Sequence, residues 1–195
     1  MAIDLFFMRL FNVTCANPFF DEVMPFFSKL SHWKGVIFLA ALLIVLKERW
    51  RGLLILGGVV IALLLSEGLS SGVMKPFFDR TRPCHLYPWV RLLSTFCPKS
   101  PSFTSSHAAN IFAATTFLAF FFPRLRYILW GIASLVGFSR IYIGVHYPSD
   151  VVAGAVLGVG CASAVYFGLT KVSRALGGQH VLSGCPKGHR ADRGA

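Results

Sequence analysis

Five apolar runs, broken by short basic loops, constrain this chain more than any other feature. They fall at roughly 30–46, 52–74, 107–122, 127–144 and 151–169. A helix needs about 20 apolar residues to cross a bilayer, and ~17 suffice. The third run is the shortest in effect and must lie nearly upright or borrow from its flank. Composition agrees: 55% of residues are hydrophobic and only 14% charged, against about a quarter charged in a soluble domain. The expected fold is therefore all-α: an integral-membrane helical bundle of about five transmembrane helices.

Charge supplies the orientation. The net charge is +11, which in a soluble domain would point to nucleic acid. Here the cations sit between apolar runs, so topology and an anionic substrate explain them better, and no nucleic-acid partner is expected. Lys47, Arg49 and Arg51 form one basic loop, Arg124 and Arg126 another, and Lys171 and Arg174 follow the last run. Five spans put all three places on one side, which the positive-inside rule makes cytoplasmic. The opposite side then holds the N-terminal region, the stretch 75–105 and the turn around His146.

Residues 1–29 mix Phe-rich patches with Asp4, Arg9, Asn12, Asp21 and Glu22. They are too polar to span and read as an amphipathic helix at the membrane interface, with Pro18 and Pro25 preventing one long helix. One membrane-embedded domain over 1–176 is expected. The Gly-rich, polar stretch 177–195 reads as a disordered cytoplasmic tail. Cys15, Cys84, Cys97, Cys161 and Cys185 show no metal-ligand spacing. Cys84 and Cys97 share one non-cytoplasmic loop, where an oxidising compartment favours a disulfide between them.

Three clusters lie at span ends on the non-cytoplasmic face. Lys75, Arg80 and Arg82 place three cations where the positive-inside rule disfavours them, and an anion is the simplest reason. Thr104, Ser105, Ser106 and His107 precede the third run; a helix start there would aim free N–H groups at an anion, with an imidazole beside it. Finally, Arg140 lies near the end of the fourth run, and His146 and Asp150 are four apart, with Pro148 able to open the next helix. A carboxylate next to an imidazole fixes its tautomer and stabilises its cation. Taken together, these groups suit phosphoryl transfer, which needs charge stabilisation, an in-line nucleophile and a proton for the leaving oxygen. No carboxylate cluster falls on that face to hold a metal pair, so neither metal nor other cofactor is expected. Glu67, deep in the second run, is expensive there and marks a further polar position, set either near the interface or beside an Arg.

These residues resemble the signature of the type-2 phosphatidic acid phosphatase family, which shares its active site with vanadium haloperoxidases. Lys75, Arg82 and Pro83 match its Lys-x6-Arg-Pro part. Ser139, Arg140, His146 and Asp150 match Ser-Arg-x5-His-x3-Asp. Thr104, Ser105, Ser106 and His107 match Pro-Ser-Gly-His only in part, with Thr104 for Pro and Ser106 for Gly. The resemblance implies that His146 is the nucleophile, that Asp150 orients it, and that His107 protonates the leaving oxygen and then activates water. It implies that Lys75, Arg82, Ser105 and Arg140 bind the phosphate, helped by the N–H groups of Ser106 and His107. The implied activity is hydrolysis of a membrane lipid's phosphate or diphosphate, with undecaprenyl diphosphate as the leading substrate. Phosphatidylglycerol phosphate, lipid A phosphate and phosphatidic acid are alternatives. The small size and minimal loops suit a bacterial enzyme of the plasma membrane with an outward-facing site. A haloperoxidase-like enzyme is disfavoured by the apolar runs, and a dead lipid-binding protein by the presence of His107, His146 and Asp150.

Overall fold

A computed structural model describes residues 1–175; the expected tail at 177–195 lies outside the described residues. Among the described residues the regular structure is entirely helical. The N-terminal region forms two helices, α1 (Ala2–Arg9) and α2 (Pro18–Ser28), joined by a wider turn at Leu10–Thr14. Pro18 opens α2, where its missing N–H costs nothing, and Asn17 caps it by accepting from the Phe20 N–H at 3.0 Å. Pro25 departs from expectation. It sits inside α2, and the helix continues to Ser28 before ending; a proline near a helix end forfeits one hydrogen bond without forcing an immediate break.

The bundle follows: α3 (Leu30–Glu48), α4 (Trp50–Glu67) and, after short segments, α7 (Ser106–Phe121), α8 (Arg126–Tyr142) and α9 (Pro148–Ala175). Past Glu67 the second helix widens into a π-turn at Gly68–Met74 and runs on as α5 (Lys75–Phe78). Lys75 is thus held on a helix, not in a loop as its position after the apolar run suggested. A single turn, α6 (Pro83–Leu86), precedes the irregular stretch to Ser105. Among the described residues three stretches, Leu30–Glu48, Trp50–Leu86 and Pro148–Ala175, are long and apolar enough to cross a membrane. The other two bundle helices are shorter, at 16 residues for α7 and 17 for α8.

Helix α7 is the central element, packed on α4, α8 and α9. Near the basic loops, Ile55, Ala62, Ala113, Phe117, Phe121, Ala162 and Val165 form the main apolar core. Toward the other end α7 and α9 come into backbone contact. A Cβ on Gly154 would stand 2.5 Å from the Ser105 carbonyl oxygen, and one on Gly158 would overlap that of Ala109 and lie 2.9 Å from the Ala113 nitrogen. Small residues are what permit such close helix packing in a membrane, where apolar burial alone drives no association. By contrast α3 buries none of its residues.

The N-terminal helices pack on the end of the bundle opposite the basic loops. Met24 of α2 joins Tyr142, Ile143 and Val145 in a second core. The fully buried Asn12 side chain donates to the carbonyls of Tyr142 (2.6 Å) and Arg91 (2.8 Å) and accepts from the Arg91 N–H (2.8 Å). The Tyr142 hydroxyl donates to Asp21 at 2.7 Å.

Candidate active site

The packing just described brings three helix ends together. His146 lies in the turn between α8 and α9 and is 2% exposed. That turn is shaped by Gly144, whose φ of +86° is open to glycine and costly for other residues, and whose missing Cβ would stand 2.6 Å from the Arg91 carbonyl oxygen. Pro148 opens α9, putting the fully buried Asp150 in its first turn. Ser105 precedes the first turn of α7, and its N–H donates to the Asp150 carbonyl at 3.0 Å. The two helix starts are thereby tied by their backbones.

His146 stands between a guanidinium and a carboxylate. Arg82 Nη1 is 3.0 Å from His146 Nε2, and Asp150 Oδ2 is 3.5 Å from Nδ1. Because Arg82 can only donate, Nε2 must carry the lone pair and Nδ1 the proton. Burial drives the imidazole pKa down to about 3, with Arg82 and Arg140 pushing the same way and Asp150 opposing them. The imidazole is neutral near neutrality, with its Nε2 lone pair accepting from Arg82.

Arg82 is itself fixed. Nε donates to the Ser100 carbonyl (2.8 Å), Nη1 to that of Val145 (3.0 Å), and Nη2 to the Ser100 hydroxyl (3.1 Å) and the Pro101 carbonyl (3.3 Å). The stretch that supplies the Ser100 and Pro101 acceptors is stapled just before them. Cys84 and Cys97 form a disulfide, with Cα atoms 6.2 Å apart.

The remaining candidates lie at the same end of the bundle. Arg140, in the last turn of α8, is buried; it donates to the Ser28 hydroxyl, while its Nε has no partner in the protein. Arg140 and His107 line one cavity of about 280 Å³ with Ser28, Lys29, Ser94 and Thr95. The buried Ser105 hydroxyl also has no partner. The Ser106 hydroxyl meets those of Ser70 (3.0 Å) and Ser71 (3.1 Å), and Lys75 Nζ donates to Ser71 at 3.3 Å. The first turn of α7 and the end of the second helix are thus sewn together by hydroxyls, with Ser106 as one stitch. Among the described residues no group of three or more His, Cys, Asp or Glu is arranged to hold a metal ion.

Two neighbours of the site, Ser102 and Asp4, carry no sequence signal, and a third, Arg80, expected to face an anion, is bound to carboxylates instead. Ser102, fully buried, donates its hydroxyl to Asp150 and lies 3.4 Å from His146 Nδ1. Arg80 donates to Asp150 Oδ1 at 2.7 Å. Asp4, from α1, accepts from Arg80 at 2.6 Å. Arg80 was visible only as one cation of a cluster, and neither Ser102 nor Asp4 carries a local motif. Glu67 takes the Ser71 hydroxyl and the Asn110 amide (2.6 Å) rather than an Arg, and so belongs to the network that holds Lys75.

The PAP2 superfamily model matches residues 51–174, which include every one of the motif residues. The chain belongs to the PAP2 superfamily. Among curated relatives it is 33% identical over 142 residues to a lipid A 4′-phosphatase of Porphyromonas gingivalis, covering 69% of this chain and 60% of that one. It is 35% identical over 140 residues to an undecaprenyl-diphosphatase of Sulfolobus acidocaldarius, covering 71% and 65%. The chain thus spans under two thirds of the length of these relatives. The crystal structure of a transmembrane PAP2-type phosphatidylglycerolphosphate phosphatase from Bacillus subtilis superposes with a TM-score of 0.67 at 26% identity, covering 89% of this chain and 87% of that one. This PAP2 protein is accordingly an all-α integral-membrane bundle of a phosphatase family.

Proposed function

We propose that this PAP2 protein hydrolyses a phosphate or diphosphate ester of a membrane lipid, without a metal, through a phosphohistidine at His146. The observation that carries the reading is Arg82 held against His146 Nε2, with further unpartnered buried donors at the same end of the bundle. Arg82 faces that nitrogen, Arg140 keeps a buried Nε with no partner, and the buried Ser105 hydroxyl is likewise unpaired. Buried donors without acceptors are costly, and a phosphate would supply the missing acceptors.

The chemistry divides into two steps. His146 Nε2 gives its lone pair to phosphorus as the bond to the leaving oxygen breaks, and His107 protonates that oxygen. The Nδ1 proton stays on the ring, facing Asp150, which stabilises the imidazolium. In the second step His107 takes a proton from water, the water oxygen bonds to phosphorus, and the phosphorus–nitrogen bond breaks. Lys75, Arg82 and Arg140, with the N–H groups at the start of α7, hold the phosphoryl oxygens as their charge redistributes.

Undecaprenyl diphosphate is the first substrate to try, followed by phosphatidylglycerol phosphate, lipid A phosphate and phosphatidic acid; three of these correspond to the names of the relatives above. The reading includes five spans and a site that opens away from the cytoplasm, in a bacterial plasma membrane. Two features support this orientation: the basic residues at Lys47–Arg51, Arg124, Arg126, Lys171 and Arg174 lie at the far end of the bundle, and a disulfide lies at the near end.

Phosphate release from this panel in detergent, with and without EDTA, tests the proposal. Turnover of at least one lipid should persist in EDTA and vanish in His146→Ala. Loss of turnover on chelation with recovery on added magnesium, or a fully active His146→Ala enzyme, would overturn it.

A further inference from the structure

Asp150 is gripped on both oxygens. Oδ2, the oxygen facing His146, accepts from the Ser102 hydroxyl and from the Tyr147 N–H at 2.9 Å. Oδ1 is held by Arg80 Nη1 at 2.7 Å, and the same nitrogen reaches the Ser149 hydroxyl at 2.7 Å. Arg80 Nη2 turns the other way, to Asp4 Oδ2 at 2.6 Å. The guanidinium carbon lies 3.8 Å over the centre of the Tyr147 ring. Asp4 closes the circuit, accepting from the Ser149 N–H (2.9 Å) and hydroxyl (2.7 Å) at the start of α9. The side chains are 20% exposed for Arg80, 12% for Asp4 and 0% for Asp150.

Two consequences follow from this carboxylate–guanidinium–carboxylate chain. The first is geometric. A carboxylate held by one oxygen can rotate about its Cβ–Cγ bond; Arg80 on Oδ1 prevents this and keeps Oδ2 turned to Nδ1. The second is electrostatic. Arg80 alone would cancel the charge of Asp150, leaving His146 beside a neutral pair when its ring becomes cationic. Asp4 restores one net negative charge to the trio. We propose that Arg80 and Asp4 are positioning residues for the reaction, through which the N-terminal helix sets both the orientation and the effective charge of Asp150. This rests on the reading of His146 as nucleophile.

The test uses the full-length enzyme in detergent, with phosphate release from dioctanoyl phosphatidic acid and a thermal melt for each variant. Arg80→Ala should lower kcat on the order of 10²-fold, the penalty of a small misplacement near the chemistry, with KM little changed. Guanidinium ion at millimolar concentration should restore part of the lost kcat. Asp4→Ala should lower kcat less, and its loss should not add to that of Arg80→Ala in the double variant, since both act on one carboxylate. If Arg80→Ala does not fold, Arg80→Lys, which keeps the charge but not the fork, should fall between wild type and inactive. Wild-type kcat in folded Arg80 variants, a loss confined to KM, or fully additive losses would each overturn the proposal. His146→Ala separates the two readings. If it retains turnover, the phosphohistidine mechanism fails; if it is dead while the Arg80 and Asp4 variants keep wild-type kcat, only the positioning role fails.

Discussion

Arg82 Nη1 and His146 Nε2 lie 3.0 Å apart, a guanidinium donor against an imidazole lone pair. The contact holds the ring in its neutral form, and burial does the same with greater force. A histidine whose pKa falls from 6.5 to about 3 on folding leaves the unfolded chain with the extra proton between those values. Stability therefore rises with pH across that window and is fully present above 6.5. Acidification below 6.5 should destabilise the wild type, at no more than about 1.4 kcal/mol per pH unit from this group. His146→Gln should remove that component, which thermal melts from pH 4 to 7 would reveal. Equal pH slopes for the two proteins would contradict the assignment.

The same contact makes a kinetic prediction. Arg82→Gln removes a positive charge that depresses the imidazole pKa, so the acid limb of kcat/KM should move upward toward 6.5. A pH–rate profile of residual activity measures the shift. An unmoved limb would show that Arg82 does not act on His146.

Ser102 should matter more than its lack of motif suggests. Its hydroxyl donates to a buried carboxylate, an interaction worth about 1.5–3 kcal/mol. Ser102→Ala should therefore cost roughly 10- to 10²-fold in kcat if Asp150 must be held for catalysis, while Ser102→Thr, which keeps the hydroxyl, should recover part of it. Steady-state kinetics on the two variants would decide.

The disulfide should stabilise the loop that presents Arg82. With Cys84 and Cys97 13 positions apart, the chain-entropy model gives about 3 kcal/mol. The double variant Cys84→Ser, Cys97→Ser should melt earlier than the wild type, and reductant should bring the wild type to the same melting temperature. A wild-type melt indifferent to reductant would remove the disulfide's role.

Gly144→Ala should damage the site from two residues away. The φ of +86° disfavours any side chain, and the new Cβ would crowd the Arg91 carbonyl and Val90. A cost on the order of 1–3 kcal/mol is expected from the backbone alone, with kcat falling as the turn that carries His146 shifts. A melting curve and an activity assay on one preparation would test both.

The bundle was legible because membrane spans are written locally, as runs of apolar residues, and the motif residues because they sit at the ends of those runs. The fate of Lys75 was less clear, since a π-turn carried the helix past the end of its apolar stretch. In the sequence Asp4 is one polar residue among several in an amphipathic stretch. Its partners Arg80 and Ser149 lie 76 and 145 positions away, and no periodicity encodes such a meeting. Ser102 was hidden in an irregular stretch whose path is set by Arg82 and the Cys84–Cys97 bridge. The cost of a carboxylate in an apolar run marks Glu67, but its amide partner Asn110 comes from the packing of α7 on α4.

The glycine seam between α7 and α9 bears on how this PAP2 protein can change. His107 and Asp150 begin the two helices that Gly154 and Gly158 allow to touch. Any side chain added at those glycines would act as a wedge, prising apart groups that it never contacts. Helix α3 is the opposite case, with 19 residues and none buried. Directed evolution for a new lipid or a hardier protein should therefore find its permissive substitutions along α3 and its lethal ones along the seam.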